Sequence, residues 1–142
     1  MCGIVGIVNF HHKISNDKYI IEDMKETIAK RGPDENGTYI SDNVLLGHRR
    51  LIVIDPKGGS QPMIKKYENN EYVIVYNGEL YNSDELRIDL INKGYDFNSY
   101  SDTEVLLTAY MCYGVNAIKK LNGIFAFAIY DKNKGQVFFR TN

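Results

Sequence analysis

The sequence predicts one α+β domain in which β-sheets pack under α-helices. The chain has 142 residues, the usual size of a single domain that can bury a core of its own. Hydrophobic residues make up 44% of it and charged residues 25%, which is ordinary for a globular protein. The predicted strands and helices come in blocks rather than in strict alternation. This order favours sheets covered by helices over a doubly wound parallel sheet.

The first half of the chain predicts one strand, one helix and then several short strands. Residues 3–9 form a short β-branched run that is typical of a strand. Residues 17–30 carry apolar side chains at helical spacing, and Gly32-Pro33 ends this helix. Short apolar runs separated by polar turns then predict strands at residues 39–40, 44–46 and 51–54.

The second half predicts a strand, two helices and a hairpin. Residues 72–76 are the clearest strand of the chain and run into the turn dipeptide Asn77-Gly78. The predicted helices 83–92 and 102–113 each end close to a glycine, which favours a left-handed cap. The predicted hairpin has its strands at residues 124–131 and 136–140, around a turn at 132–135.

Composition and charge exclude several classes of partner. Lys and Arg number 17 against 18 Asp and Glu, so we expect no basic patch and no nucleic-acid partner. The longest apolar run, residues 124–130, is too short to span a membrane, and no membrane partner is expected. The N-terminal stretch has neither a basic region nor a cleavage-site pattern, which indicates a cytoplasmic protein.

The cysteines and histidines limit the redox and metal chemistry. Cys2 and Cys112 are expected as two thiols, because a single disulfide is unusual in a non-secreted chain with an adequate core. Cys112 falls in an apolar helical segment and is interpreted as a small buried hydrophobe. His11 and His12 lie together in a polar loop without matching acidic or cysteine partners, so no metal site is expected.

Cys2 is the strongest chemical clue because it follows the initiator methionine directly. If Met1 is removed, one residue carries both a nucleophilic thiol and an α-amino group. The α-amino group of a chain titrates close enough to neutral pH to accept and return a proton. Position alone leaves open that Cys2 is only a small residue after Met1.

Several short motifs occur together along the chain. They are Met1-Cys2-Gly3-Ile4-Val5-Gly6, Arg31-Gly32-Pro33-Asp34, Gly47-His48-Arg49-Arg50-Leu51, Tyr76-Asn77-Gly78-Glu79-Leu80-Tyr81-Asn82 and Ser101-Asp102-Thr103-Glu104. In this order and spacing they resemble the glutaminase domain of class II glutamine amidotransferases. The second and third motifs make the chain most similar to the glutamine-hydrolysing asparagine synthetases within that family. The resemblance spans residues 1–142 as one domain and implies the four-layer αββα sandwich of N-terminal-nucleophile hydrolases.

The resemblance implies three catalytic residues. Cys2 would attack the side-chain amide of glutamine, and the thioester formed would then be hydrolysed. Asn77 would offer its side-chain NH2, and Gly78 its backbone N–H, to the tetrahedral oxyanion. Taken without the resemblance, Asn77-Gly78 is a tight turn at a strand end, and both interpretations can hold together.

The resemblance also implies a pocket that recognises an α-amino acid. Arg50 would bind the substrate carboxylate, Asp102 the ammonium group, and Glu79 would help to hold this polar end. The backbone around Leu51 and Val53 would line the same pocket. The alternatives are a surface arginine at position 50 and a helix cap at 101–104, where Ser101 and Glu104 fit a capping box.

Two further groups are interpreted as support and not as catalysts. The resemblance places the segment 31–34 close to the strand of the nucleophile, where it forms a helix stop and a turn. His48 invites a Cys–His interpretation, but the N-terminal amine already supplies a base. We therefore expect His48 to pack or to form a supporting hydrogen bond.

The resemblance implies L-glutamine as substrate and a synthetase domain as partner in a longer enzyme. No cofactor is expected in these residues, which contain no glycine-rich phosphate loop, and ATP and Mg²⁺ are expected only for the absent synthetase domain. The domain is expected to be incomplete, because the family's domain continues with further strands after the position of Arg140. A homodimer is left open.

The alternative functions fall into two classes. The chain could be the glutaminase half of another class II amidotransferase, or an N-terminal-nucleophile amidase with a different substrate. The pair of Arg50 and Asp102 argues against the latter, because an amide that is not an amino acid needs neither. The other class is a non-catalytic glutamine-binding or structural fragment, which a retained Met1 would favour.

Overall fold

The structure, a computed structural model, describes residues 1–53 and 56–142. Within these residues the strands are β1 (Gly3–Val8), β2 (Glu35–Ile40), β3 (Val44–Arg50), β4 (Met63–Tyr67), β5 (Asn70–Leu80), β6 (Gly123–Asp131) and β7 (Gln136–Thr141). The α-helices are α1 (Lys18–Thr27), α2 (Ser83–Asn92) and α3 (Asp102–Tyr113), and short 3-10 helices cover Ala29–Arg31 and Gly114–Lys120. None of the helices in the described ranges is long and apolar enough to cross a membrane.

The strands form two antiparallel sheets. The first sheet has the order β1-β3-β2, and the second has the order β4-β5-β6-β7. Strand β3 is central in the first sheet, where Gly3 of β1 pairs with Arg49 and Glu35 of β2 pairs with Arg50. The N-terminal end of β1 and the C-terminal end of β3 therefore lie side by side.

Strand β5 shows how the sheets and helices stack. Val73 and Val75 are buried between the two sheets, whereas Ile74 and Tyr76 are buried in the core beneath α3. Because successive strand residues point to opposite faces, an unbroken apolar run supplies both cores. The clear strand signal of residues 72–76 therefore reflects burial on two sides.

Helices cover the outer face of each sheet. Ile21 of α1 is fully buried against Leu45 of the first sheet, and Leu107 of α3 lies in the core of the second sheet. Helix α2 packs on α3, with Leu90 and Val105 in a shared cluster. The layers run helix, sheet, sheet, helices, which confirms the predicted α+β class and its four-layer αββα arrangement.

Two local predictions are wrong, and one strand is missing from the prediction. Residues 51–53 form no strand, and residue 54 of that predicted strand lies outside the described residues. Asn77-Gly78 is not a turn, because β5 continues through both residues to Leu80 and pairs with β6 along its whole end. Strand β4 was not expected at all, because the polar pair Lys65-Lys66 hides its short edge-strand pattern.

The ends of the helices also differ from the prediction. The helix expected at 17–30 stops at Thr27, and a 3-10 turn, Ala29–Arg31, replaces its last part. Gly114 has the expected positive φ, at 60°, directly after α3.

Cys112 is a free thiol, as expected. It is half-buried against the cluster between α2 and α3, and not fully buried as the sequence predicted.

Neighbouring residues of α2 test the packing of this outer layer. Leu90 is fully buried and Ile91 is 51% exposed. We expect Leu90→Ala to lower the free energy of unfolding by about 2–5 kcal/mol, because it removes apolar contacts and leaves a cavity. The matched variant Ile91→Ala should change it by less than about 0.5 kcal/mol. Urea unfolding of both variants checks this, and equal losses would contradict the layer assignment.

Candidate active site

A cleft of about 390 Å³ lies where the ends of β1, β3 and β5 meet the N-terminus of α3. Its lining residues are Met1, Cys2, Arg50, Leu51, Val53, Gly59, Gln61, Tyr76, Asn77, Gly78, Glu79, Tyr81, Ser101, Asp102, Thr103 and Ile124. The first sheet supplies the Cys2 and Arg50 side, and the second sheet supplies the Asn77 side. Every site residue predicted from the sequence lies in this cleft, while the role of each stays a prediction.

Cys2 is held by the segment that follows β3. The Leu51 N–H donates to Cys2 Sγ at 3.4 Å, and Sγ lies 3.7 Å from the Leu51 carbonyl oxygen. Arg31 Nε donates to the Cys2 carbonyl at 3.1 Å. These contacts fix both the thiol and the backbone of Cys2 at the start of β1.

The motif at 31–34 supports this segment from behind. Asp34 Oδ2 accepts the Ile52 N–H at 2.7 Å. A Cβ on Gly32 would lie 2.3 Å from the carbonyl carbon of Arg49, so glycine is needed for the close approach of the two backbones. Together with the bond from Arg31, these contacts confirm the motif as structural support.

Arg50 is buried at the end of β3, with 4% of its surface exposed. Its Nη1 lies 3.0 Å from Glu35 Oε2 and donates to the Pro56 carbonyl at 3.2 Å. Ser60 Oγ donates to the same Glu35 oxygen at 3.1 Å. The alternative of a surface arginine is therefore wrong, since a partly buried carboxylate orients this guanidinium at the wall of the cleft.

Asp102 is the first residue of α3, and its carboxylate is held from one side. Its Oδ2 accepts the Tyr76 hydroxyl at 2.9 Å and the Leu80 N–H at 3.0 Å. Its Oδ1 makes no hydrogen bond with the described residues. The carboxylate therefore keeps an acceptor for a ligand in the cleft that it lines.

The cap of α3 is formed by Ser101 and not by Asp102. Ser101 Oγ accepts the Glu104 N–H at 3.3 Å, which is the expected first half of a capping box. The Glu104 carboxylate does not return to Ser101; it accepts the N–H groups of Asn98 and Ser99 and lies 3.1 Å from Lys65 Nζ. The reciprocal half of the predicted capping box is therefore wrong.

Tyr76 is a site residue that sequence reasoning missed. It is 3% exposed, and burial and then the charge of Asp102 raise the pKa of Tyr76 above its usual range. The hydroxyl therefore stays protonated and donates to Asp102. The signal in the sequence is its position directly before Asn77. Its role was missed because Tyr76 also fits the apolar pattern of the predicted strand 72–76.

Asn77, Gly78 and Glu79 continue β5 along the cleft. A Cβ on Gly78 would lie 2.2 Å from the Ile124 carbonyl oxygen, so the close approach of β6 requires glycine there. The Asn77 amide is half-buried and makes no hydrogen bond with the described residues, and the exposed Glu79 forms no ion pair with them. This row of polar groups faces the cleft without protein partners in the described part of the chain.

His48 lies behind the cleft and does not line it. It is 1% exposed, and its Nε2 lies 3.1 Å from the Tyr76 carbonyl oxygen. Since a carbonyl only accepts, Nε2 carries the proton. Burial lowers the pKa of His48 to about 4, so the ring is neutral at physiological pH. This confirms the supporting role expected from the sequence.

The remaining polar clusters offer no metal site in the described residues. His11 and His12 are exposed, and their backbone N–H groups donate to Asn9 Oδ1. No three His, Cys, Asp or Glu residues of the ranges 1–53 and 56–142 come close enough to hold a metal ion.

Comparison with known proteins shows which family the chain belongs to. Residues 1–141 match the glutamine amidotransferase domain. The chain belongs to this family. The match covers essentially the whole sequence and confirms the resemblance given by the motifs.

The similar curated proteins are glutamine-hydrolysing asparagine synthetases. The chain is 44% identical over 138 residues to asparagine synthetase 3 of Bacillus subtilis, covering 97% of this chain and 22% of that protein. It is 46% identical over 135 residues to asparagine synthetase 1 of the same organism, covering 94% and 21%. Asparagine synthetase B of Escherichia coli is 35% identical over 134 residues, covering 94% and 24%. The chain thus spans about a fifth of these relatives.

Solved structures agree with the fold. The glutamine phosphoribosylpyrophosphate amidotransferase of B. subtilis, complexed with ADP and GMP, superposes with a TM-score of 0.55 at 28% identity. The superposition covers 65% of this chain and 22% of that one. The architecture of the chain is therefore that of a glutamine amidotransferase of known structure.

The buried His48 predicts a pH dependence of stability. Its pKa falls from about 6.5 in the unfolded chain to about 4 in the folded one, so the unfolded state binds more protons between these values. The contribution of His48 to stability is fully present above pH 6.5 and should fall by up to about 1.4 kcal/mol per pH unit on acidification towards pH 4. Urea unfolding at a series of pH values measures this slope.

The variant His48→Gln isolates the contribution of this ring. It should show a shallower slope than the wild type in the same window, while His12→Gln, at an exposed site, should keep the wild-type slope. Identical slopes for His48→Gln and wild type would show that another group causes the acid sensitivity.

Proposed function

We propose that this domain hydrolyses the side-chain amide of L-glutamine to glutamate and ammonia through a thioester on Cys2. The observation that carries the proposal is the meeting of Cys2, Asn77-Gly78, Arg50 and Asp102 in one cleft of about 390 Å³. These groups match a nucleophile, an oxyanion site, a cationic partner and an anionic partner. Family membership supports the same activity.

The chemistry starts after removal of Met1, which lines the cleft beside Cys2 and blocks its α-amino group in a peptide bond. The freed α-amino group takes the thiol proton as sulfur attacks the amide carbon of glutamine. The Asn77 side-chain amide and the Gly78 N–H stabilise the negative oxygen that forms. The carbon–nitrogen bond then breaks, and the proton leaves with the nitrogen as ammonia.

The second half of the reaction returns the enzyme to its starting state. Water loses a proton to the α-amino group and attacks the γ-glutamyl thioester. The same donors stabilise the second oxyanion, and the carbon–sulfur bond breaks to give glutamate. Sulfur recovers the proton, so the cycle needs only groups of this chain and water.

Recognition of glutamine depends on charges at the far end of the substrate. The buried Arg50 would bind the α-carboxylate, and Asp102 Oδ1 would accept from the α-ammonium group. Glu79 lies in the same wall of the cleft and adds to the ammonium side. A simple amide without these charged groups leaves Arg50 and Asp102 without ligands.

We propose that the ammonia is used by a synthetase domain outside these residues. Sequence relatives are named as glutamine-hydrolysing asparagine synthetases, which supports a synthetase domain that forms asparagine. We propose ATP and Mg²⁺ only for that domain. Identity of 44–46% over nearly the whole chain favours this assignment over the phosphoribosylpyrophosphate enzyme, which shares 28%. The unpaired thiols of Cys2 and Cys112 fit a reducing compartment, so a cytoplasmic location is part of the proposal.

The nucleophile is tested by labelling and turnover. Intact mass should show loss of Met1 and one adduct after treatment with the glutamine analogue 6-diazo-5-oxo-L-norleucine, which alkylates activated thiols. Cys2→Ala should give no adduct and no glutamate from glutamine, because no other cysteine lines the described cleft.

Cys112→Ala is the matched control for this experiment. Cys112 lies in α3 outside the cleft, so its variant should label and turn over like the wild type. Retained turnover in Cys2→Ala, or an adduct lost from Cys112→Ala instead, would disprove the assignment.

The ammonium partner is tested by Asp102→Asn. The amide keeps an acceptor for Tyr76 and Leu80 but removes the negative charge, so we expect KM for glutamine to rise roughly tenfold to a hundredfold. The value of kcat should change less, because the ammonium group is bound equally in the ground and transition states.

Asp84→Asn provides the control, because Asp84 also lies in the first turn of a helix but is exposed on α2. Its KM should equal that of the wild type. An unchanged KM in Asp102→Asn would leave this residue with a structural role only.

A further inference from the structure

The backbone of Tyr76 is held by side chains from outside its own strand. The Tyr76 N–H donates to Gln61 Oε1 at 2.6 Å, and Gln61 Nε2 donates back to the Tyr76 carbonyl at 3.1 Å. His48 Nε2 donates to the same carbonyl, also at 3.1 Å. Both backbone polar atoms of Tyr76 are thus bound by the single side-chain amide of Gln61.

The register of the sheet explains why Gln61 takes this place. Met63 of β4 pairs with Ile74 of β5, and continuing the same antiparallel register places position 61 opposite Tyr76. Strand β4 begins only at Met63, and the Gln61 backbone carbonyl lies against Gly37 of the first sheet, so the Gln61 backbone does not supply the bonds to Tyr76. A glutamine amide carries a donor and an acceptor, as a peptide does, and here it replaces the missing ladder bonds.

Gln61 is itself anchored on two sides. A Cβ on Gly37 of β2 would lie 2.0 Å from the Gln61 carbonyl oxygen, so the Gln61 backbone rests directly on the first sheet. Its Nε2 also lies 3.4 Å from Thr103 Oγ1 at the start of α3, and Thr103 is 4% exposed. The amide that holds Tyr76 is therefore tied to the first sheet and to the helix that presents Asp102.

We propose that Gln61 is a positioning residue that fixes the peptide between Tyr76 and Asn77, and through it the oxyanion donors Asn77 and Gly78. This inference rests on the proposed function, which gives these donors their role. Because the peptide group is planar, holding the Tyr76 carbonyl also fixes the direction in which the chain enters Asn77. An oxyanion site depends on such preorganisation, since donors that must move give up much of their effect.

The two sides of Tyr76 predict separable kinetic effects. Its backbone, held by Gln61, leads to the oxyanion donors, whose interaction strengthens only in the transition state, so loss of the Gln61 bonds should lower kcat. Its hydroxyl holds Asp102, so Tyr76→Phe should raise KM for glutamine instead. A purely structural role of the whole segment would not separate the two parameters.

The test uses the full chain with Met1 removed. Gln61→Met keeps the side-chain length and removes both hydrogen bonds; we expect kcat to fall about tenfold to a hundredfold. KM should change by less than about threefold. Gln61→Glu, which keeps an acceptor for the Tyr76 N–H, is the second variant should the first not fold. Its kcat should also fall, because the carboxylate repels the Tyr76 carbonyl.

Gln136→Met is the matched control. Gln136 lies in β7 of the second sheet, away from the cleft, and donates to the Tyr110 hydroxyl at 2.8 Å. This variant also loses a glutamine hydrogen bond to a tyrosine, and it should keep both kinetic parameters. An equal loss of kcat in Gln136→Met would overturn the proposal by showing general loosening of the sheet.

Amide hydrogen exchange followed by NMR tests the positioning role of Gln61 separately from the proposed glutaminase activity. The Tyr76 N–H should exchange faster in Gln61→Met than in the wild type, because its acceptor is gone. Unchanged exchange, or an unchanged kcat in a folded Gln61 variant, would overturn the role of Gln61. A wild-type chain without glutaminase activity would refute the proposed function, and the exchange rate of Tyr76 would then decide the Gln61 contacts alone.

Discussion

Burial of β5 on both faces is the constraint on which the sheets, the helices and the cleft depend. Val73 and Val75 fill the space between the sheets, and Ile74 and Tyr76 fill the space under α3, so this strand cannot slide by one residue without exchanging two cores. Its register with β6 continues to Leu80. The residues at its end therefore reach the cleft at fixed positions, without a turn to place them. Rigid placement of polar groups at the end of a fully packed strand is what an oxyanion site requires.

The cleft is assembled from both sheets, so its geometry depends on how the sheets pack. Cys2 and Arg50 come from the first sheet, while Asn77 and its neighbours come from the second. The bond from His48 Nε2 of β3 to the Tyr76 carbonyl of β5 crosses this boundary, as does the bond from the Tyr39 hydroxyl of β2 to Glu71 of β5. A buried polar bond has a strict geometry that apolar contacts lack, and it selects one arrangement of the sheets. A neutral histidine is suited to this place, because burial disfavours its charged form.

Local patterns gave the fold class, the helices and the strand at 72–76, because each of these is encoded by neighbouring residues. The hairpin at the end of the chain was predicted for the same reason. Strand β4 was missed because it is an edge strand, where the polar residue Lys65 turns towards Glu104 of α3 instead of solvent. The site residues came from motifs and not from periodicity.

The motifs do not reveal which residues hold the site residues in place. Glu35 binds Arg50 and Gln61 binds Tyr76, and each partner lies 15 residues away in the sequence. They meet only through strand pairing. Such contacts depend on register, which the sequence does not express locally.

The charged groups that line the cleft differ in how far other side chains already compensate them. Arg50 is buried, and a buried cation without a partner would cost several kcal/mol. Glu35 offsets this cost, and Ser60 in turn donates to Glu35.

The Asp102 carboxylate has no such charged partner in the described residues. Its hydrogen-bond donors are the uncharged Tyr76 hydroxyl and Leu80 N–H, and both bind the same oxygen. In the binding mode proposed above, a zwitterionic ligand would bring its anion to the compensated arginine and its cation to the Asp102 carboxylate, which has no cationic partner in the described residues. The larger gain in attraction therefore falls at Asp102. Discrimination between glutamine and a simple amide should depend more on the ammonium end of the substrate than on its carboxylate end.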